Sequence, residues 1–146
     1  MTSEFRTKRR ITFAETDMAG IVHFSNFFRY MEDTEHEFFR SLGLSGYTRI
    51  DGKLIGWPRV RAECAYHAPL AFDEEVDIRL VVRKKTKKTV TCDFEFSKPG
   101  TAAVAHGSMT AICVALDPAT KKMSSVPIPK DIDEKIEEAS EEHDRS

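Results

Sequence analysis

The sequence predicts an α+β domain in which a five-stranded antiparallel sheet wraps around one long central helix. Three observations carry that prediction. Apolar residues recur at a helical period in one long stretch only, residues 24–42; from residue 59 onward the period becomes two in three successive segments, with a fourth apolar on both faces; and short turn signals separate those segments. Strands joined by consecutive hairpins pair antiparallel, and the apolar face of such a sheet needs a cover, which the one long helix supplies.

The elements follow in order. Residues 5–13 alternate, with Thr7, Arg9, Ile11 and Phe13 on one side and Arg6, Lys8, Arg10 and Thr12 on the other, as a first strand with a basic outer face does. A glycine-containing loop carrying Asp17 comes next. Wound at 100° per residue, Phe24, Phe27, Phe28, Met31, Phe38, Phe39 and Leu42 share one arc, while Asn26, Arg29, Asp33, His36, Glu37 and Arg40 lie opposite. This predicts a helix of roughly 28 Å, capped at Ser25 or Asn26 and ended by Gly43. Residues 44–56, with three glycines, read as loop. Val60, Ala62, Cys64 and Tyr66 then alternate with Arg59, Arg61 and Glu63; Val76, Ile78, Leu80 and Val82 with Asp77 and Arg79; Val90, Cys92, Phe94 and Phe96 with Thr91, Asp93 and Glu95. Each pattern predicts a strand with one buried face. The last strand, 102–116, is apolar on both faces and so belongs at the centre of the sheet or under another subunit, with Gly107 marking a bulge or a close backbone approach. Residues 1–130 form the domain, and 131–146 a charged helix or tail to which no chemistry is assigned.

Composition narrows the function. The 146 residues suit one domain, and 40 % apolar residues with ten phenylalanines supply an ordinary core. With 22 basic against 24 acidic residues, there is no global bias toward nucleic acid or a membrane surface. Cys64, Cys92 and Cys113 are odd in number and lie in apolar or β-branched surroundings, which predicts free thiols in a reducing, cytoplasmic setting. No membrane-length apolar run occurs, and MTSEFRTKRR has no apolar stretch after its basic residues. His23, His36, His67 and His106 lack metal-ligand spacing, and no G-x-S-x-G nucleophile motif is present.

The segment ETDMAGIVHFSNFFRYMEDTEHEFFRSLGL, followed after a loop by AYHAPLAFDEEVDI, resembles the hotdog-fold acyl-CoA thioesterases of the 4-hydroxybenzoyl-CoA thioesterase group. The likeness spans residues 5–120. It implies hydrolysis of an acyl- or aroyl-CoA thioester to free acid and CoA, with no cofactor beyond the coenzyme A of the substrate. It puts the catalytic carboxylate on Asp17 and the carbonyl-polarising backbone amide on Phe24, at the helix start. It also puts the acyl-pocket wall at Trp57 and Pro58, and the CoA-phosphate contacts at Lys85, Lys87 and Lys88. Many members carry His where this chain has Phe24; His23 stands one position earlier and borders the substrate. The family's active site lies between subunits, which implies a homodimer and a homotetramer built from it.

The residues support that chemistry and leave alternatives open. A helix N-terminus offers unpaired N–H groups and a favourable dipole to a developing oxyanion, and Asp17 is able to act as general base for water or as nucleophile. Asp17 as a simple cap of its own turn is the structural alternative. Glu35 falls within the helix's apolar arc, where a carboxylate needs a partner such as Arg59 or Arg61; a second branch of hotdog thioesterases, as that resemblance has it, carries its acid on this helix. The basic run of Arg83, Lys84, Lys85, Lys87 and Lys88 reads equally as a solvated hairpin tip, and it lacks the interleaved aromatic residues of a nucleic-acid platform. A non-catalytic acyl-CoA-binding module and a hotdog dehydratase are the competing functions, the latter needing a His–acid pair for which His23 has no partner motif.

Overall fold

The computed structural model describes residues 1–140. Five strands, β1 (Glu4–Arg10), β4 (Arg59–Tyr66), β5 (Glu75–Lys85), β6 (Thr89–Lys98) and β7 (Thr101–Ile112), form one sheet in the order β1-β5-β6-β7-β4, with every pairing antiparallel. The helix α1 (Asn26–Ser41) lies against it, so the α+β architecture is as expected. Its apolar arc delivers Phe27, Tyr30, Met31 and Phe38 to the core, where Ile78, Leu80, Val82, Cys92, Phe94, Phe96 and Met109 meet them from the sheet. Phe27 sets its ring edge-to-face on Phe96, 5.2 Å between centroids. Gly107 makes this approach possible: a Cβ there would overlap the Met31 thioether, so the glycine marks close approach of helix and sheet.

The helix ends as its sequence requires. Gly43 adopts φ +74°, Leu44 N–H donates to Phe39 C=O and Gly43 N–H to Arg40 C=O, a Schellman termination. Its beginning differs from expectation. Ser25 occupies the cap position, but its hydroxyl pairs with His23 Nδ1 (2.8 Å) and makes no cap bond, while the Asn26 side chain donates to Glu15 C=O (2.8 Å) and ties the helix to the preceding loop.

Four further departures concern the chain beyond the first helix turn and its flanks. Residues 44–56 are not simply loop: β2 (Thr48–Ile50) and β3 (Lys53–Gly56) join β8 (Val114–Leu116) and β9 (Met123–Ser125) in a second sheet, order β2-β3-β8-β9. Strands of three and four residues are too short to register as alternation. The strand read as 102–116 changes sheet at Cys113, whose N–H donates to Lys88 C=O and whose C=O accepts from Val126 N–H. Phe13 leaves the first strand for a 3-10 turn, where it is 73 % exposed and packs edge-on against Phe72. The C-terminal segment is no free tail as far as residue 140: after the short helix α2 (Lys130–Asp133), Ile132 and Ile136 are buried in the core and Ala139 N–H donates to Val82 C=O. The remainder of the expected 131–146 segment, 141–146, lies outside the described residues.

Strand β4 is the sheet's outer edge on one side, and its apolar side chains are covered only in part. Val60 remains 60 % exposed and Tyr66 44 %, where alternation predicted burial. Within one chain the helix reaches only part of this strand.

Candidate active site

The Asp17 loop closes on itself. Thr16 bridges Val22, Asp17 N–H donates to Ile21 C=O (2.9 Å), and Gly20, at φ +80°, donates back to Asp17 C=O (2.9 Å). His23 N–H donates to Glu15 C=O, which, with the Asn26 bond to the same oxygen, fixes the loop against the mouth of α1. The Asp17 side chain is exposed; one carboxylate oxygen accepts from Ala19 N–H (2.8 Å), so the local turn-capping role exists, and the other oxygen has no partner among the described residues.

At the helix mouth, Phe24 N–H also has no hydrogen-bond partner among the described residues. The Phe24 carbonyl, by contrast, accepts from Tyr66 Oη (3.0 Å), whose pKa burial pushes up to about 12, so it stays a donor at neutral pH. Tyr66 thus holds the Phe24–Ser25 peptide, next along the chain from the Phe24 N–H, from the strand side. His23 stacks on Phe24 (4.6 Å between centroids) with Nδ1 committed to Ser25. An unpaired N–H beside a helix N-terminus suits a developing negative charge. Sequence reasoning read Tyr66 only as one more residue of an alternating strand; its partner is 42 residues away, and no local pattern announces the bond.

An apolar recess lies further along the helix. A cavity of about 310 Å³ opens between α1 and the second sheet, lined among others by Phe38, Phe39, Tyr47, Ile55, Trp57 and Pro58. Trp57 and Pro58 therefore stand in a pocket wall. Glu35 and Arg59 also line it, 3.5 Å apart, while Arg61 faces outward toward Glu63 (3.3 Å). Burial raises the Glu35 pKa to about 7; the Arg59 charge opposes that rise, and Glu32 adds to it. Asp17 is not among the lining residues, and along the helix axis Phe24 and Glu35 are roughly 16 Å apart at 1.5 Å per residue.

The basic run divides. Lys85 is no free phosphate ligand: its ammonium donates to the carbonyls of Ile136 (2.6 Å) and Asp133 (3.0 Å) and pairs with the Asp133 carboxylate (3.1 Å), anchoring the C-terminal segment. Lys87 is exposed, and Lys88 Nζ reaches Ser125 Oγ (3.1 Å). Among the described residues no cluster of three or more His, Cys, Asp or Glu side chains is placed to hold a metal ion, and no helix is long and apolar enough to cross a membrane.

Comparison with known proteins gives the same architecture. The family model described as thioesterase-like superfamily matches residues 11–136. A 1,4-dihydroxy-2-naphthoyl-CoA hydrolase of Prochlorococcus marinus is 30 % identical over 125 residues, covering 79 % of this chain and 77 % of that protein. The solved structure of a gentisyl-coenzyme A thioesterase superposes with TM-score 0.76 at 31 % identity, over 88 % of this chain and 99 % of that one. A 4-hydroxybenzoyl CoA thioesterase mutant complexed with 4-hydroxybenzoyl CoA shares the fold, with TM-score 0.78 at 19 % identity over 91 % and 98 % of the two chains. With a family match across most of its length and the fold of these solved structures, the chain belongs to the thioesterase-like superfamily.

Proposed function

We propose that this protein hydrolyses an acyl- or aroyl-CoA thioester to the free acid and CoA, with Asp17 as the catalytic carboxylate and the Phe24 N–H as oxyanion donor. The observation that carries the proposal is the unpaired Phe24 N–H at the helix mouth, beside the Phe24–Ser25 peptide whose carbonyl Tyr66 holds, and flanked by the loop that presents Asp17. Two routes fit. As a general base, Asp17 takes a proton from water, whose oxygen adds to the thioester carbonyl; as a nucleophile, it forms a mixed anhydride that water then opens. In both, the oxyanion sits on the Phe24 N–H and collapse of the tetrahedral intermediate expels the CoA thiolate. His23 borders the reacting carbonyl, Trp57 and Pro58 wall the acyl group, and Lys87 and Lys88 attract the CoA phosphates by screened charge. No further cofactor takes part.

The site is completed by a second copy of the chain. Asp17 does not line the apolar cavity of its own subunit, and the unpaired edge of β4, with Val60 exposed, offers a place for another copy to continue the sheet. The assembly is a homodimer, with a tetramer as its further association, working where thiols such as the three free cysteines stay reduced.

A thiol-release assay on aryl, short-chain and long-chain acyl-CoAs tests this reading. Release from at least one class is expected, and Asp17→Asn should lower turnover by about 10²-fold or more with the unfolding midpoint unchanged. Near-normal turnover in that variant would remove Asp17 from the mechanism. Binding of acyl-CoAs without thiol release would identify a non-catalytic binding module.

A further inference from the structure

The loop that presents Asp17 and the first turn of α1 are joined through one residue, Glu15. Its carbonyl accepts from His23 N–H (2.9 Å) and from Asn26 Nδ2 (2.8 Å), while its carboxylate accepts from Thr12 N–H at Oε1 (2.8 Å) and from Arg9 Nη2 at Oε2 (2.6 Å). Four bonds thus reach back to the end of β1, across the loop and onto α1. Arg9 extends the tie: its Nη1 donates to the Asp33 carboxylate (3.1 Å), seven residues into the helix from Asn26, and its guanidinium lies over the buried Tyr30 ring, 4.6 Å from the centroid. Burial works against ionisation of Glu15, but the bonds from Thr12 and Arg9 outweigh it and hold the carboxyl below its ordinary value, so the pair stays charged at neutral pH. The two side chains keep 14 % and 33 % of their surface, Glu15 and Arg9 respectively, so removing either one leaves a charge unpaired in a half-dry site.

We propose that Arg9 and Glu15 are positioning residues for the hydrolytic step, a charged clamp that fixes the Asp17 carboxylate and the Phe24 N–H relative to each other. The inference rests on the hydrolase reading above for the identity of the reacting groups. Asp17 follows Glu15 by two residues and Phe24 follows His23 by one, so the Glu15 carbonyl is the common reference point of both groups. Packing does not supply that reference. Residues 17–21 are all exposed, so the loop between the two groups is held by hydrogen bonds rather than by buried apolar contacts. The clamp anchors it to β1 and to the buried stretch of α1, the parts of the molecule that packing does hold. Loosening the clamp displaces acid and amide from each other while the acyl-CoA still binds. A misplacement of about 1 Å between reacting groups lowers the rate by up to about 10²-fold.

The test compares the unmodified protein with Glu15→Gln, which keeps the length of the side chain, with Arg9→Met, which keeps an apolar stem over Tyr30, and with the double variant. Thiol release is measured at a temperature where circular dichroism shows every variant folded. In each single variant kcat should fall about tenfold or more with KM within about twofold, and the double variant should be no slower than the worse single one, because the pair acts as a unit. Hydrogen exchange at the amides of Asp17, Gly20 and His23 reads the loop without turnover, and should quicken about tenfold or more in both single variants while the amides of β5 and β6 exchange as before. If Arg9→Met does not fold, Arg9→Lys, which keeps the charge and loses the planar fork, decides by the same readouts. A lower unfolding midpoint with kcat and loop exchange unchanged would reduce the pair to a structural contact and overturn the proposal; so would a change in KM alone, or losses that multiply in the double variant. Release of thiol by the unmodified protein is scored separately. If no ester is hydrolysed, the hydrolase reading falls and loop exchange alone decides whether the pair holds the loop; if turnover is normal in all the variants, the clamp falls and the hydrolase reading stands.

Discussion

Tyr66 and Glu35 show how single side chains acquire roles from what surrounds them. Tyr66→Phe deletes the bond to the Phe24 carbonyl, together with the hydroxyl's contact with the Cys64 thiol, at a cost of about 0.5–1.5 kcal/mol in stability. If that bond holds the Phe24 N–H in position, turnover should also fall by about two- to tenfold with KM nearly unchanged; a loss of stability with unaltered turnover would make Tyr66 structural only. Glu35 sets a pH dependence whose sign follows from its burial. Folding raises the carboxyl from its usual 4.5 to about 7, so between those values the folded state keeps a proton that the unfolded chain has released. The resulting stabilisation is complete below pH 4.5 and is lost as pH rises to 7, to the extent of about 1–3 kcal/mol. Urea unfolding at pH 5 and pH 8 should show the unmodified protein losing stability relative to Glu35→Gln across that interval. A parallel response of the two proteins would show that the Arg59 pair holds the carboxylate ionised in the fold. That Glu35 needs an arginine was legible from its place in the apolar arc. That the partner is Arg59 and not Arg61, with Trp57 beside it at a cavity, was not, because these residues arrive from a segment more than twenty residues on.

At the scale of elements, the long helix and the four long antiparallel strands were legible because their apolar patterns are sustained for eight or more residues. The short strands β2, β3, β8 and β9 were not, since three or four residues hold no period and the pairing of β3 with β8 joins segments about sixty residues apart. The contact of α1 with β7 is the tightest consequence of this architecture. Gly107→Ala should destabilise the protein by about 1–3 kcal/mol, because the added methyl must displace the buried Met31 thioether. Met31→Ala in the same background should recover part of that loss by making room, and a double-mutant cycle reads the coupling directly. Additive effects of the two changes would mean that helix and sheet do not meet there.

For the whole molecule, β4 is the decisive surface. One chain leaves its outer edge unpaired and Val60 uncovered, a combination that favours sheet continuation with a second chain. Val60→Asp should lower the solution mass toward that of one chain, measured by sedimentation, and lower thiol release with it while the far-ultraviolet circular dichroism of the fold persists. An unchanged mass would exclude β4 as the joining edge. The sequence by itself determined the fold class, the helix with its glycine stop, the one-sided strands and the loop that carries Asp17, because each is written in a local period or a short motif. Only the tertiary structure decided that Phe24 N–H stays unpaired, that Lys85 serves the C-terminal segment, that Val60 on β4 is bare, and that Glu35, Trp57 and Arg59 surround one cavity. These depend on which distant segments meet, and hydrogen-bond partners and access to water exist only after the chain has brought those segments together.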